Sequence, residues 1–240
     1  MDWASITYPG TREINEDSVG IVQTQDAQCF IVADGLGGHG KGDIASRVAV
    51  AAFQKVFQES AAPLEERMKA AFLQAQQDIL EQQKIMRCPM QMKTTVTALA
   101  VDGKQVLWGY IGDTRLYGFG HLWGKVRTLD HSVPQMLVFA KEIKEKEIRH
   151  HPDRNKLLRV LGVSGEQPRF EMSKLYGKYR FRAFLLCSDG FWEFIEDEEM
   201  RKCLNGAKTA QQWLEEMEKI VQLHGAGKAR DNFSAIAVLL

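Results

Sequence analysis

The order of strand-like and helix-like segments is the feature of this sequence that most restricts its fold. Short β-like runs come first, "WASITY", "SVGIVQT" and "CFIVAD", and two amphipathic helices are predicted over residues 41–58 and 63–84. Strand-like runs then return as "TTVTALAV", "QVLWGYIG", "RLYGF" and "VRTLD". Runs of strands separated by paired helices differ from the alternation of a parallel sheet, and they favour antiparallel sheets flanked by helices.

The second half of the chain continues in the same manner. Residues 132–162 are mixed and charged and predict short helices, whereas "FRAFLLCSDG" predicts a buried strand. A further helix is predicted over residues 208–223, with Gly225 as its stop, and "NFSAIAVLL" closes the chain as a strand. Because no linker, repeat or low-complexity tract interrupts this pattern, we expect one domain over residues 1–240.

Composition and charge narrow the class of protein. Hydrophobic residues make up 45% of the chain and charged residues 26%, which are ordinary values for a soluble globular protein. Lysine plus arginine equals aspartate plus glutamate, 31 each, so bulk charge supports neither nucleic-acid nor membrane binding. The four cysteines form no C-x-x-C pair, and we recognise neither a membrane-spanning run nor a signal peptide. We therefore expect a monomeric, cytoplasmic protein with reduced thiols.

The glycine-rich stretch "IVADGLGGHGKGD", residues 31–43, matches two nucleotide-binding patterns. The first, G-x-G-x-x-G, needs a strand after the next helix, but two helices follow here and no strand is predicted before about Thr94. The second, G-x-x-x-x-G-K, needs Ser or Thr after Lys41, where this chain has Gly42. Because both requirements fail, nucleotide binding is a minor interpretation. The simplest alternative is a glycine-rich turn between a strand and a helix that has no chemical role.

Five aspartates share one position relative to the predicted strands, because each lies where a strand meets a loop: Asp17, Asp34, Asp113, Asp189 and Asp231. Any one of them alone is most simply a turn former or a helix cap. If the strands pair centrally, all five can converge, and buried carboxylates that converge repel one another unless a cation balances them. Mg²⁺ and Mn²⁺ prefer oxygen ligands, and Gly35 would let its own carbonyl approach such an ion.

Motifs in a fixed order cover nearly the whole chain, from Gly10 to Val238. They are "GTREINEDS", "VADGLGGHGKGDIAS", "KTTVTALAV", "GDTRLY", "TLDHSVPQMLV", "HPDRNKLLRVLG", "LLCSDGFWE" and "DNFSAIAV". The ordered set closely resembles the metal-dependent Ser/Thr protein phosphatases of type 2C, the PPM family, in their compact bacterial form. The resemblance implies an α+β fold, a four-layer α-β-β-α sandwich in which two central antiparallel β-sheets are flanked by helix pairs.

The same resemblance implies a centre of two tightly bound Mn²⁺ or Mg²⁺ ions. Asp34 would bridge both ions, and Gly35 would supply its carbonyl to one of them. Asp189 and Asp231 would bind the other ion, and Asp17 would contact the ions or their waters.

Further roles follow from the resemblance outside this pair of ions. A third, weakly bound ion would use Asp113 together with Asp189. Arg12 matches the arginine that clamps phosphate, with a surface salt bridge as the simpler alternative. His39 would protonate the leaving oxygen or a metal-linked water, or only anchor its loop. Residues 132–162, called the flap below, match a substrate-selecting lid, although such a charged segment is equally typical of a solvated surface.

The implied activity is hydrolysis of phosphoserine and phosphothreonine in proteins by a water held at the two metal ions. Two other phosphatase chemistries lack their motifs, since no Cys-x5-Arg and no D-x-D-x-T occurs in the chain. The partners implied are phosphorylated proteins and an opposing Ser/Thr kinase. The alternative is a catalytically weak pseudo-phosphatase that binds phosphoproteins as a regulator, and the full set of acidic residues argues against it.

Overall fold

The computed structural model describes residues 1–36, 41–121, 124–165 and 167–240. The strands in chain order are β1 (Asp2–Tyr8), β2 (Asp17–Gln23), β3 (Ala27–Leu36), β4 (Lys93–Thr94), β5 (Val96–Asp102), β6 (Gln105–Ile111), β7 (Arg115–Gly120), β8 (Lys125–Arg127), β9 (Glu171–Met172), β10 (Tyr176–Gly177), β11 (Phe181–Cys187) and β12 (Phe233–Leu239). The α-helices are α1 (Gly42–Glu59), α2 (Leu64–Ile85), α3 (Val133–Phe139), α4 (Asp189–Trp192), α5 (Asp197–Gly206) and α6 (Ala210–His224). Short 3-10 helices span Glu145–His150 and Lys178–Arg180.

The strands form two sheets. The five-stranded sheet has the order β1-β12-β11-β7-β8, and the seven-stranded sheet has the order β10-β6-β5-β3-β2, with β4 beside β3 and β9 beside β6. Every strand pair in the described ranges is antiparallel. This pairing excludes the parallel βαβ unit that a dinucleotide-binding interpretation of the glycine loop requires. The first and last strands lie side by side, as expected if residues 1–240 form one domain.

Side chains alternate across each central strand and so build three apolar layers. In β3, Phe30 and Val32 face the core between the two sheets, whereas Cys29 and Ile31 face the core beneath α1 and α2. Strands β11 and β12 alternate in the same way between the inter-sheet core and the core beneath α4, α5 and α6. Because both faces of these strands are buried, their sequences are continuous apolar runs. The predicted four-layer sandwich is confirmed.

Most predicted elements are confirmed, and the differences concern where strands end. Asp34 lies inside β3, because β4 extends the pairing as far as Leu36. Asp189 does not end β11, which stops at Cys187; it begins the one-turn helix α4 instead. The predicted strand "TTVTALAV" is divided into β4 and β5.

Helix α5 was not predicted from the sequence. Its segment "DEEMRKCLNG" is strongly charged, and only Met200 and Leu204 on it are buried. Two apolar side chains four residues apart on a short segment are too weak a periodic signal to identify a helix.

The flap is joined to the sandwich near its C-terminal end. It contains the predicted short helices, namely α3 and the 3-10 helix over Glu145–His150. Ser132 pairs with Leu157 inside the flap, and Leu161 pairs with Thr94 of β4. Most of its charged side chains are exposed, but Ile148 packs into the core beneath α4, α5 and α6. Among the described residues, no helix combines the length and the apolar character needed to cross a membrane.

Candidate active site

One cleft brings most of the predicted site residues together. It has a volume of about 530 Å³ and is lined by six of them: Arg12, Asp34, Gly35, Asp113, Asp189 and Asp231. The sheet register explains part of this convergence, since Asp17 at the start of β2 lies opposite Asp34 in β3. His39 lies outside the described residues.

The backbone of Asp34 is fixed by the paired threonines of the "KTT" motif. The hydroxyl of Thr94 donates to the Asp34 carbonyl oxygen at 2.8 Å, and the backbone N–H of Thr95 donates to the same oxygen at 2.9 Å. The backbone N–H of Asp34 in turn donates to the Thr95 hydroxyl at 3.2 Å. The carboxylate of Asp34 is thus presented to the cleft from a rigid strand.

The adjacent Gly35 is required by packing. A Cβ atom placed on it would lie 2.2 Å from the carbonyl oxygen of Gly42 and 2.6 Å from that of Glu16. These distances are far below any van der Waals contact, so the end of β3 and the start of α1 can approach only without a side chain here. The backbone N–H of Gly35 donates to the Glu16 carbonyl at 3.1 Å.

Asp17 is buried and only half satisfied by hydrogen bonds. Its Oδ2 accepts from the Ser188 hydroxyl at 2.7 Å, but its enclosed Oδ1 has no hydrogen-bond partner in the part of the chain that the structure describes. Burial raises the pKa of Asp17 to about 6, opposed by its hydrogen bonds and reinforced by the charge of Asp231. A buried carboxylate oxygen without a donor is a suitable ligand for a cation.

The other carboxylates also perturb one another. Burial, followed by the charges of the four other aspartates, raises the pKa of Asp34 well above its usual value. The pKa of Asp189 is raised in the same way, by burial first and then by Asp113 and Glu193. Burial and the charge of Asp130 raise the pKa of Asp113 to about 7. The aspartates therefore lie close enough together to oppose each other's ionisation.

The loop that carries Arg12 is held by a residue that the sequence analysis did not identify, Asn232. Its side-chain oxygen accepts from the backbone N–H of Glu16 at 2.8 Å, and its side-chain nitrogen donates to the carbonyls of Pro9 and Ile14 at 2.9 and 3.0 Å. Arg12 itself is 60% exposed at the rim of the cleft, where its Nη2 lies 2.8 Å from Asp231 Oδ2. The "DN" pair at the start of β12 was the available signal.

The turn that carries Asp113 is held by His131, a second residue without a predicted role. Gly112 has a φ of +102°, which favours glycine, and its backbone N–H donates to His131 Nδ1 at 3.1 Å. Burial lowers the pKa of His131, which is consistent with a neutral ring that accepts at Nδ1. The Trp192 indole donates to the carbonyl of Asp113 at 3.0 Å. The turn is therefore held by groups from two other segments.

A buried ion pair lies beside this turn. Arg115 donates to both carboxylate oxygens of Asp130, at 2.8 and 2.6 Å, and its guanidinium lies 3.5 Å from the centroid of the Trp192 ring. Asp130, rather than Asp113, is therefore the ion-pair partner of Arg115.

The donor set of the cleft suits a hard divalent cation. Its ligand candidates are carboxylate and carbonyl oxygens, which Mg²⁺ and Mn²⁺ prefer. Within the described ranges, no three His, Cys, Asp or Glu side chains are already arranged to hold a metal ion. Asp231 is bonded to Arg12 and Asp17 to Ser188, so these carboxylates use protein donors. The orphaned Oδ1 of Asp17 and the mutual repulsion nevertheless fit a cationic centre.

Comparison with known proteins identifies relatives of this chain. The family model described as protein phosphatase 2C matches residues 10–230. The serine/threonine phosphatase stp of Listeria innocua is 31% identical over 205 residues, which cover 82% of this chain and 80% of that protein.

Solved structures show the same fold. A bacterial serine phosphatase superposes with a TM-score of 0.88 at 23% identity, covering 100% of this chain and 97% of the other. The catalytic domain of the protein phosphatase PstP, solved with two manganese ions, superposes with a TM-score of 0.81 at 25% identity, covering 98% and 96%.

The raised pKa of Asp113 predicts how stability depends on pH when chelator keeps divalent cations away. The folded chain binds a proton on the Asp113 carboxyl more tightly than the unfolded chain does. Protonation of Asp113 therefore stabilises the folded state fully below pH 4, and this stabilisation is lost as the pH rises through about 7. Asp113→Asn should therefore gain stability relative to the unchanged protein between pH 5.5 and 8, by about 4 °C or more in Tm. Thermal unfolding in EDTA measures this difference, with Asp78→Asn on α2 as control. A difference that does not change with pH would contradict the assignment.

Proposed function

The chain belongs to the protein phosphatase 2C family, and on that premise we propose that it hydrolyses phosphoserine and phosphothreonine in proteins with the help of divalent metal ions. The observation that carries the proposal is the cleft itself, which four aspartates and an exposed arginine line. A fifth aspartate, Asp17, is buried opposite Asp34, and the charges of the other four aspartates oppose the ionisation of Asp34. No structural need of the fold explains such a gathering, because like charges destabilise the site they form.

We propose that Mn²⁺ or Mg²⁺ is held by the oxygens of this cleft. Asp34, Asp189 and Asp231 are the principal ligands in this proposal, with Asp17 and the carbonyl of Gly35 in support. The two manganese ions in the PstP structure support a pair of ions, and the hard oxygen donors support their identity. Asp113, with Asp189, is the proposed site of a third and weaker ion.

The bound cations and the residues around the cleft have different roles in the proposed reaction. When bound, divalent cations at such a centre lower the pKa of a water molecule and stabilise charge on phosphoryl oxygens. Arg12 can donate two hydrogen bonds to the phosphate and hold it for in-line attack, because its guanidinium is exposed at the rim. The bonds to Thr94 and Thr95 keep the backbone of Asp34 from moving as charge develops. His39 is the proposed proton donor to the departing serine or threonine oxygen.

The proposed setting is the cytoplasm, where a monomeric enzyme would oppose a Ser/Thr kinase. All four cysteines are free thiols and three of them are buried, which supports a reducing compartment. The alternative of a weak pseudo-phosphatase, which binds phosphoproteins as a regulator, is disfavoured because every predicted acidic ligand is present.

Removal of one proposed ligand tests the metal chemistry. Asp231→Asn keeps the side-chain shape but loses the charge, so we expect Mn²⁺-dependent hydrolysis of p-nitrophenyl phosphate to fall about 100-fold or more. The matched control is Asp78→Asn, which removes the same charge on α2, a helix that contributes no lining residue to the cleft. Circular dichroism would show that both variants remain folded. Turnover by folded Asp231→Asn equal to that of the control would refute the metal role.

Substitution of Arg12 tests its proposed role in holding the phosphate of the substrate. Arg12→Ala should raise KM for phosphopeptides about tenfold, because a clamp used in both ground and transition states contributes uniform binding. Arg12→Lys should recover only part of the loss, since an ammonium keeps the charge but cannot form the bidentate pair. Steady-state kinetics with both variants would decide. Unchanged KM and kcat in Arg12→Ala would mean that the arginine is only a surface charge.

A further inference from the structure

A second cleft adjoins the candidate active site. Its volume is about 710 Å³, and it shares Arg12, Asn155 and Asp231 with the first cleft. Its walls come from the N-terminal loop, the flap, the segment after α4 and the segment before β12. A peptide whose phosphorylated residue occupies the first cleft would therefore have its neighbouring residues beside the second.

This second cleft is rich in positive charge, and we call it the basic cleft. The cationic side chains and the histidine that line it are Arg12, Arg149, His150, Arg154, Lys228 and Arg230. Among the described residues only two carboxylates line it, and both are already paired, Glu193 with Arg154 and Asp231 with Arg12. The chain as a whole has no net charge, so this cleft is a local excess rather than a general property.

Several of these cations lack a full set of acceptors among the described residues. The exposed ammonium of Lys228 lies 5.4 Å from the Phe194 ring, and no carboxylate pairs with it in the part of the chain that the structure describes. Arg149 is only 7% exposed and forms ion pairs with Glu196 and Asp197, yet its enclosed Nη1 has no hydrogen-bond partner among the residues that the structure describes.

Arg230 shows the same deficiency. Its guanidinium lies 5.7 Å from the Phe233 ring, and within the described ranges its enclosed Nη1 also lacks a hydrogen-bond partner. Buried donors without acceptors are costly, and cations that line a cleft are stabilised by an anion within it. Because these two Nη1 atoms are enclosed, an anion in the cleft would interact with the exposed Lys228 and with the positive charge of the two guanidinium groups, not with the unpartnered atoms.

We propose that the basic cleft is a substrate subsite for anionic groups next to the phosphorylated residue. The preferred substrates would then be phosphopeptides that carry Asp or Glu, or a second phosphate, beside the phosphate that is removed. This inference rests on the proposed phosphatase function and adds a substrate class to it. The preference arises because neutral flanking residues leave the charge of the cleft unbalanced, whereas anionic ones pair with it.

The size of the preference follows from the exposure of the cleft. Each partly exposed ion pair changes binding by about 1.5- to 5-fold, so two such pairs give a preference of about tenfold. The preference should shrink as salt is raised, because screening acts on exposed charges.

Three phosphothreonine peptides of equal length test the proposal: one with flanking Gln, one with flanking Glu, and one with a second phosphothreonine. We expect kcat/KM to be about tenfold higher for at least one anionic peptide than for the Gln peptide, and less so at high salt. The Glu and phosphothreonine peptides distinguish which anion is favoured. Because each value is a ratio within one preparation, loss of folded protein does not affect it.

A matched pair of variants separates the subsite from general attraction. Lys228→Glu should reduce the preference to about twofold or less, whereas Lys69→Glu, which makes the same charge change on the exposed face of α2, should preserve it. Equal losses in the two variants, or no preference in the unchanged protein, would overturn the proposal.

Two outcomes distinguish a failure of the subsite proposal from a failure of the proposed phosphatase function. If the Gln peptide is hydrolysed without any preference, the subsite is wrong and the phosphatase function stands. If no peptide is hydrolysed, the phosphatase function fails, and the dissociation constants of phosphonate peptides with the same flanks still test the subsite. Equal dissociation constants for the Gln and anionic phosphonates would overturn it.

Discussion

Repulsion among five carboxylates is the constraint on which the rest of this structure depends. Four of the aspartates line a single cleft, and the fifth, Asp17, is buried opposite Asp34. Burial raises the pKa of Asp17, Asp34, Asp113 and Asp189. The aspartates can remain this close to one another only because a rigid scaffold holds them there. The sandwich provides that scaffold, since its central strands are buried on both faces and cannot shift to separate the charges.

Polar groups around the cleft hold the proposed ligands and their loops in place by hydrogen bonds. Thr94 and Thr95 hold the backbone of Asp34, Ser188 holds the carboxylate of Asp17, and His131 holds the turn before Asp113. Asn232 ties the Arg12 loop to the start of β12. A site that is to bind metal ions and phosphate needs its groups placed before the ligands arrive, because movement during the reaction is costly.

The sequence predicted the fold well because its signals are local and strong. Apolar runs such as "CFIVAD" and "FRAFLLCSDG" identify strands buried on both faces, and the five aspartates are recognisable by their place beside such runs. Hydrogen bonds across the chain leave no such signal: Asn232 reaches back more than two hundred residues to Pro9 and Ile14. Helix α5 was not predicted because only two of its residues are buried. The basic cleft was not predicted because four segments that are distant in sequence build it.

The central claim is that this cleft holds divalent metal ions, and anomalous diffraction from crystals soaked in Mn²⁺ tests it most directly. Data collected at the manganese absorption edge locate each ion independently of any assumption about ligands. The account predicts two strong anomalous peaks in the cleft lined by Asp34, Asp189 and Asp231. Well-diffracting, Mn²⁺-soaked crystals without a peak in this cleft, or with peaks only elsewhere on the molecule, would contradict it.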